Sequence, residues 1–294
     1  MAQSKSFFGL RRGSTKTLTF SVYNGKQVTK DRVADVKNPR SSAQMKQRAI
    51  MATALRGYSA LKEICDHSFE GITYGQRSMN YFVTENARML RTAAPDVNLS
   101  LFKGNSVSNN YIIAKGSLPS IEVQSVSVES NNYQFQIPMT NGATGITFGK
   151  IMANLGATLP GDMVTFVFLK DNPGSNSSLY WVRLKLSDTN KTVSIEEAEN
   201  ILGKIAEGMD FETNIDNFTA SDLSLMPMQN YLIAEITGES QASQSLGVIL
   251  SRKTDTTWLR SSSTMVSLKD AWNYEAAIAT YPENGAKILN GGNV

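Results

Sequence analysis

The chain has 294 residues, 41% of them hydrophobic and 19% charged, with one cysteine, one histidine and a formal charge of +3. A single cysteine excludes an internal disulfide framework, and a single histidine excludes any multi-histidine metal centre. The length suits one large or two moderate domains with a buried core, and the wealth of Ser, Thr and Asn favours β-rich structure with many turns over a helical bundle.

Charge is unevenly spread. Residues 1–64 hold thirteen Lys or Arg against three Asp or Glu, a net of +10, whereas residues 65–294 hold sixteen against twenty-three, a net of −7. Such polarity points to a nucleic acid, an acidic surface or the acidic part of a neighbouring copy as the partner of the N-terminal region. No apolar run approaches the ~18 residues of a membrane span, and the start, MAQSKSFFGLRR, lacks an apolar signal region. The expectation is a protein made in a cytoplasm, without signal peptide, transmembrane segment or membrane partner.

Residues 1–12 read as an arm ending in Gly9-Leu10-Arg11-Arg12. Residues 15–23 then alternate, with Leu18, Phe20 and Val22 on one face, and residues 26–33 continue extended beyond Asn24-Gly25. An Asn-Gly pair between two β-prone runs signals a hairpin, because both residues accept positive φ. A long helix is expected over residues 33–64. It starts either at Asn38-Pro39, with proline in the first turn, or at Ser41 with Gln44, a capping box. Met51, Leu55, Tyr58, Leu61 and Cys65 recur at steps of three and four and predict its buried stripe. Arg40, Gln44, Gln47 and Arg48 extend that sector backwards, so the helix is expected to project a basic first part towards an anionic surface. An ordinary helix with a solvated start is the competing reading.

Residues 66–71 form a turn, and a second amphipathic helix is predicted over residues 76–91, antiparallel to the first because the connection is short. Pro95 stops it. From residue 97 the texture is that of strands: 120–128 with 133–138, 163–170 with 179–187 around Asp171-Asn172-Pro173-Gly174, then 231–237, 246–252 and 257–266. Short helices are predicted at 148–155, 196–206 and 268–278. The expected fold is α+β and β-rich. A basic N-terminal arm, hairpin and helical pair occupy residues 1–96, followed by a β-sandwich or barrel-like body over residues 97–294 that forms one or two sub-domains.

Cys65-Asp66-His67, with Glu70 nearby, is the cluster that invites a catalytic or metal reading. The residues are too close along one helix end for a thiol–imidazole pair, and soft ligands to complete a metal site are lacking, so a buried thiol and a turn histidine are expected. The glycines at 142, 145 and 149 lack the Lys-Ser/Thr of a phosphate loop. Glu196, Glu197 and Glu199 suit the positive end of a helix dipole. Trp181, Trp258 and Trp272 read as core residues. Arg252, Lys253, Trp258 and Arg260 are the exception, setting an aromatic among cations on adjacent strands as base-stacking platforms do. With no defensible catalytic constellation, the chain is expected to be no enzyme, to carry no cofactor and to take no small-molecule substrate.

Tyr23-Asn24-Gly25-Lys26-Gln27-Val28, Asn38-Pro39-Arg40-Ser41-Ser42-Ala43-Gln44, Gln47-Arg48, Gly247–Arg252 and Trp258-Leu259-Arg260-Ser261 resemble segments of poorly characterised structural-type proteins of gut Bacteroidetes phages and related mobile elements. The resemblance covers about the first third of the chain and one late hairpin. It implies a virion structural or packaging-associated protein and transfers no residue roles. Together with the charge split it gives the expected function: a self-assembling homo-oligomeric capsid or capsid-associated protein, located in the virion. Its basic module would contact packaged nucleic acid or a neighbouring subunit through Arg11, Arg12, Lys16, Lys26, Lys30, Arg32, Lys37, Arg40, Gln44, Gln47 and Arg48. The alternatives are a non-assembling nucleic-acid-binding protein of the same kind of element and a tail or adhesion-type binding module.

Overall fold

The structure, a computed structural model, describes residues 2–4, 12–23, 26–32, 42–93, 110–129, 132–140, 146–170, 178–207, 210–216, 219, 222–236 and 244–268. The chain divides into two compact units, Met1–Gln44 and Met45–Val294. In the first, β1 (Ala2–Ser4), β2 (Gly13–Ser14), β3 (Leu18–Tyr23) and β4 (Lys26–Asp31) form an antiparallel sheet in the order β1-β4-β3-β2. Tyr23 pairs with Lys26, the register of a two-residue hairpin and the one that Asn24-Gly25 signals; those two residues lie outside the described ones.

Helix α1 (Ser42–Cys65), all but its first three residues in the second unit, is followed by α2 (Gln76–Ala93). The later of the two expected starts agrees with the beginning of α1. Ser78 Oγ donates to the Cys65 carbonyl, and the Phe82 ring lies 5.7 Å from that of Tyr58. Moving back along α1 therefore moves forward along α2, so the pair is antiparallel. The buried side of α1 is Ile50, Ala54, Tyr58, Leu61, Ile64 and Cys65, whereas Met51 and Leu55 are 39% and 37% exposed. The first half of the expected stripe is thus displaced by one residue. Gly57 lies on this buried side, where a Cβ would stand 2.7 Å from the Tyr111 ring, so the ring packs on bare backbone beside Ala54 and Leu61.

The body follows in the order β5 (Ile112–Ala114), β6 (Gln124–Glu129), β7 (Asn132–Pro138), β8 (Ile146–Thr147), α3 (Phe148–Asn154), β9 (Met163–Lys170), β10 (Ser178–Lys185) and β11 (Ser194–Ile195). A 3-10 segment (Ile201–Glu207) leads to β12 (Phe211–Thr213), β13 (Leu223–Met228), β14 (Tyr231–Ile236), β15 (Gln244–Lys253), β16 (Trp258–Arg260), β17 (Ser263–Thr264) and β18 (Val266–Ser267). The main sheet runs β12-β10-β9-β15-β16, with β18 also on β15; β13-β14-β7-β6 form a second sheet. One face of the main sheet, with Val164, Phe166, Phe168, Leu184, Val248 and Leu250, packs in a core with the second sheet and α3. The other face, with Val167, Leu169, Trp181 and Ile249, packs in a core with α1, α2 and β5. Strands β9 and β15 are therefore covered on both sides, and their sequences are accordingly near-continuous apolar runs rather than alternating ones.

This is the expected β-rich α+β architecture. The unit boundary falls at residue 44 rather than 96, because the two helices share their hydrophobic core with the main sheet. Residues 196–206 are not a helix from their first turn. Ala198 has φ 62°, and the Glu199 carboxylate accepts from Glu196 N–H at 3.0 Å. Asn200 exchanges bonds with β13, accepting from Leu225 N–H at 3.0 Å and donating to the Leu223 carbonyl at 3.1 Å, so helical geometry begins only at Ile201. The expected strand 257–266 breaks into β16, β17 and β18, where Ser261 turns to bond Leu250 through both its N–H and its hydroxyl. The remainder of the helix expected at 268–278, and Trp272, lie outside the described residues. No described helix is long and apolar enough to cross a membrane.

Alanine normally strengthens a helix relative to glycine by about 1 kcal/mol. At Gly57 the Tyr111 ring makes the opposite outcome the expected one. Gly57→Ala should lower stability by roughly 1–3 kcal/mol through overpacking, while Ser59→Ala on the exposed side stays neutral; thermal unfolding of both variants checks it.

Candidate nucleic-acid interface and an arginine-lined cleft

Pairing in the N-terminal sheet sorts its side chains by face. Leu18, Phe20 and Val22 lie with Asp31, Thr29 and Gln27 on one side, whereas Thr19, Ser21 and Tyr23 lie with Lys30, Val28 and Lys26 on the other. The second face thus carries two lysines and Tyr23, which is 72% exposed. Arg12, Lys16, Lys26, Lys30 and Arg32 are all exposed. None of them forms an ion pair among the described residues, and the Arg32 guanidinium donates only to the Thr15 carbonyl, at 3.2 Å. Of the other expected contact residues, Gln47 is exposed on α1. Arg11, Lys37 and Arg40, and the side chains of Gln44 and Arg48, lie outside the described residues.

Around the α1–α2 connection the side chains are bound into structure. The Cys65 thiol is fully buried and donates to the Ile113 carbonyl at 3.8 Å. Burial, then the Asp66 charge, pushes its pKa far up and disfavours the thiolate. The Asp66 carboxylate accepts from Tyr58 and Lys62 and, at 3.2 Å, from Gly75 N–H. Burial raises the Asp66 pKa, but those donors outweigh it and hold the carboxyl below its usual range. His67 is exposed, and its backbone carbonyl accepts from Arg260 Nε at 3.1 Å.

Glu70 ties this connection to two distant segments, accepting from Ser117 N–H at 2.9 Å and Arg260 N–H at 3.2 Å. Those bonds, Ser117 first, keep its carboxyl ionised to lower pH than usual. Gly116 permits the approach: a Cβ there would lie 2.2 Å from the Arg260 carbonyl oxygen. The result is a cleft of about 550 Å³ in the second unit. Its floor is the end of the main sheet that the helices leave uncovered, and its wall is the α1–α2 connection.

Register puts Arg183 beside Thr165, Thr165 beside Ile249, and Ser251 beside Arg260, so both arginines rise from the same sheet face. Each stacks on the tryptophan two residues before it, Arg183 at 5.0 Å from the Trp181 ring centre and Arg260 at 4.9 Å from that of Trp258. Arg183 also donates to Thr165 Oγ1 at 3.1 Å and Glu212 Oε2 at 2.8 Å. The sequence pattern of Arg252, Lys253, Trp258 and Arg260 is only partly realised. Arg252 pairs with Leu259 on the opposite face, where it grips the buried Asp162 with two bonds of 2.8 and 2.7 Å. Arg183, which sequence reasoning passed over, takes its place. Only the strand order reveals it.

No protein-family model, curated protein or solved structure matches the chain.

Asp162 supplies a pH prediction. Burial raises its pKa, but Arg252 and the N–H groups of Thr158 and Leu159 outweigh that and leave it below the ordinary value. A depressed folded-state pKa gives stability that is present above the unfolded value, near 3.9, and drains away as the pH falls through the folded one. Asp162→Asn should cost roughly 3 kcal/mol at neutral pH, since it strands a partly buried guanidinium. It should also flatten the acid limb of the stability profile. Urea unfolding of both proteins from pH 7 to pH 3 tests this.

Proposed function

We propose that the chain is a virion structural protein that assembles with copies of itself and uses its basic N-terminal sheet to contact packaged nucleic acid. The observation that carries this reading is the sheet face on which Lys26, Lys30 and the exposed Tyr23 stand together, within a segment of net charge +10. Cations committed to no carboxylate retain their full attraction for phosphate, and the sequence-independent part of nucleic-acid affinity comes from such contacts. Tyr23 adds a ring on which a base can lie. The net −7 of residues 65–294 supports assembly, because it offers the basic module of an adjoining copy a complementary surface while keeping free copies apart. The segments that resemble phage structural-type proteins favour a virion over a cellular setting.

Lys26→Glu with Lys30→Glu alters exposed positions and should change stability by only about 0.5 kcal/mol per site. Nucleic-acid binding should weaken steeply, with a log–log salt slope lower by about 2. The parent protein should give discrete particles in electron microscopy, and particles of the double variant should lose their nucleic acid. A parent that stays monomeric yet shifts a nucleic-acid band supports the non-assembling alternative. Unchanged affinity in the double variant overturns the assigned role of the sheet.

A further inference from the structure

The two arginines of the cleft, Arg183 and Arg260, are remote in sequence from the lysines of the N-terminal sheet, and the chemistry differs. Charge in the N-terminal sheet is spread over an open surface, whereas here two guanidinium groups rise into one concavity and each is backed by an indole. Arg260 is bound by backbone only: Nε donates to the His67 carbonyl and Nη1 to the Leu259 carbonyl at 3.2 Å. No ion pair engages it among the described residues, and Nη2 of both Arg183 and Arg260 has no partner there. Burial and the nearby charge of Arg183 weaken Arg260's hold on its proton, which Glu70 only partly offsets. A desolvated cation facing a second cation is relieved by an entering anion.

The carboxylates that line the cleft do not fill that role. Asp66 is engaged by Lys62 and Tyr58, Glu70 is engaged by Ser117 and the Arg260 backbone, and Glu63 is exposed to solvent. The rim adds aromatic surface: Trp258 is 39% exposed and Tyr74 is 74% exposed, the latter with His67 at 6.1 Å between ring centres. Planar fork donors suit phosphate oxygens, and exposed rings suit a base. The volume lies within the range of small-ligand sites.

From this arrangement we infer that the cleft binds a nucleotide unit, its phosphate meeting Arg183 and Arg260 and its base lying against Trp258 and Tyr74. The site is built from residues other than those of the N-terminal sheet, and the inference holds whether or not the protein forms particles. A nucleotide unit has two sources, a free nucleotide or one residue of a single strand, and their shared phosphate-plus-base chemistry is what the site recognises.

The test titrates the full chain with AMP, adenosine, inorganic phosphate and a ten-nucleotide oligo-dT by calorimetry. AMP or the oligonucleotide should bind saturably, and adenosine should bind roughly tenfold or more weakly than AMP. Inorganic phosphate should compete. Arg183→Gln and Trp258→Leu, at partly exposed positions, should each weaken binding by roughly tenfold with unchanged melting. Arg260→Gln is read only if its melting is also unchanged. A strand bound far more tightly than AMP, with the same dependence on Arg183, identifies the strand as the source; the reverse identifies a free nucleotide. Lys26→Glu with Lys30→Glu should leave AMP binding intact. The inference is overturned if neither AMP nor the oligonucleotide binds saturably, if adenosine matches AMP, or if binding is lost with the N-terminal pair but survives Arg183→Gln.

Discussion

Strands β9 and β15 are the constraint on which the second unit depends. Their central residues are buried on both faces, so the apolar side chains there divide between two cores, while Thr165 and Ser251 line the cleft. Phe166, Phe168, Val248 and Leu250 serve the core shared with the four-stranded sheet, and Val167, Leu169 and Ile249 serve the core shared with the helices. Fully burying such side chains stabilises the fold by about 1.5–3 kcal/mol each. A shift of one residue would exchange the two cores' contents, so the register of this pair is strongly specified. The cleft is a consequence. The helical layer covers only part of the sheet, and the α1–α2 connection, latched by Glu70, walls the part it leaves open.

Three kinds of cation emerge from the chain. Arg252 is structural, held by a buried carboxylate on the side of the sheet opposite the cleft. Arg183 and Arg260 share the cleft side; Arg183 pairs with Glu212, whereas Arg260 forms no ion pair among the described residues. The lysines of the N-terminal sheet are different again, being exposed and arrayed on one face. A single formal charge of +3 hides all three. Exposed cations that form no ion pair among the described residues remain available to phosphate.

Much of the fold could be read from the sequence because the responsible signals are local. Asn24-Gly25 marks its hairpin, residues 76–91 keep helical spacing, and the 163–170 and 179–187 runs pair antiparallel. The failures arise where distant residues decide. Tyr111 packs on α1 at Gly57, a contact between residues far apart in sequence. Asn200, bonded to β13, delays the 3-10 segment beyond the glutamates that looked like its start. Strand β13 was hidden by Pro227, which argues against a strand unless it occupies an edge, as this one does. The basic face of the N-terminal sheet follows from simple alternation and was legible. The cleft was not, because Arg183 and Arg260 meet only through the order β10-β9-β15-β16.

The central claim is that exposed cations of the N-terminal sheet are the main contact with nucleic acid in an assembled particle. Its most direct measurement is ultraviolet cross-linking of purified particles, followed by mass-spectrometric mapping of the peptides attached to nucleotides. The account predicts that the dominant adducts fall on the segment from Leu18 to Asp31, at Tyr23 and its lysine neighbours, with a minor set at Trp258 or Tyr74. Particles whose adducts avoid that segment altogether, or a protein that forms no particle and cross-links to no nucleic acid, would contradict it.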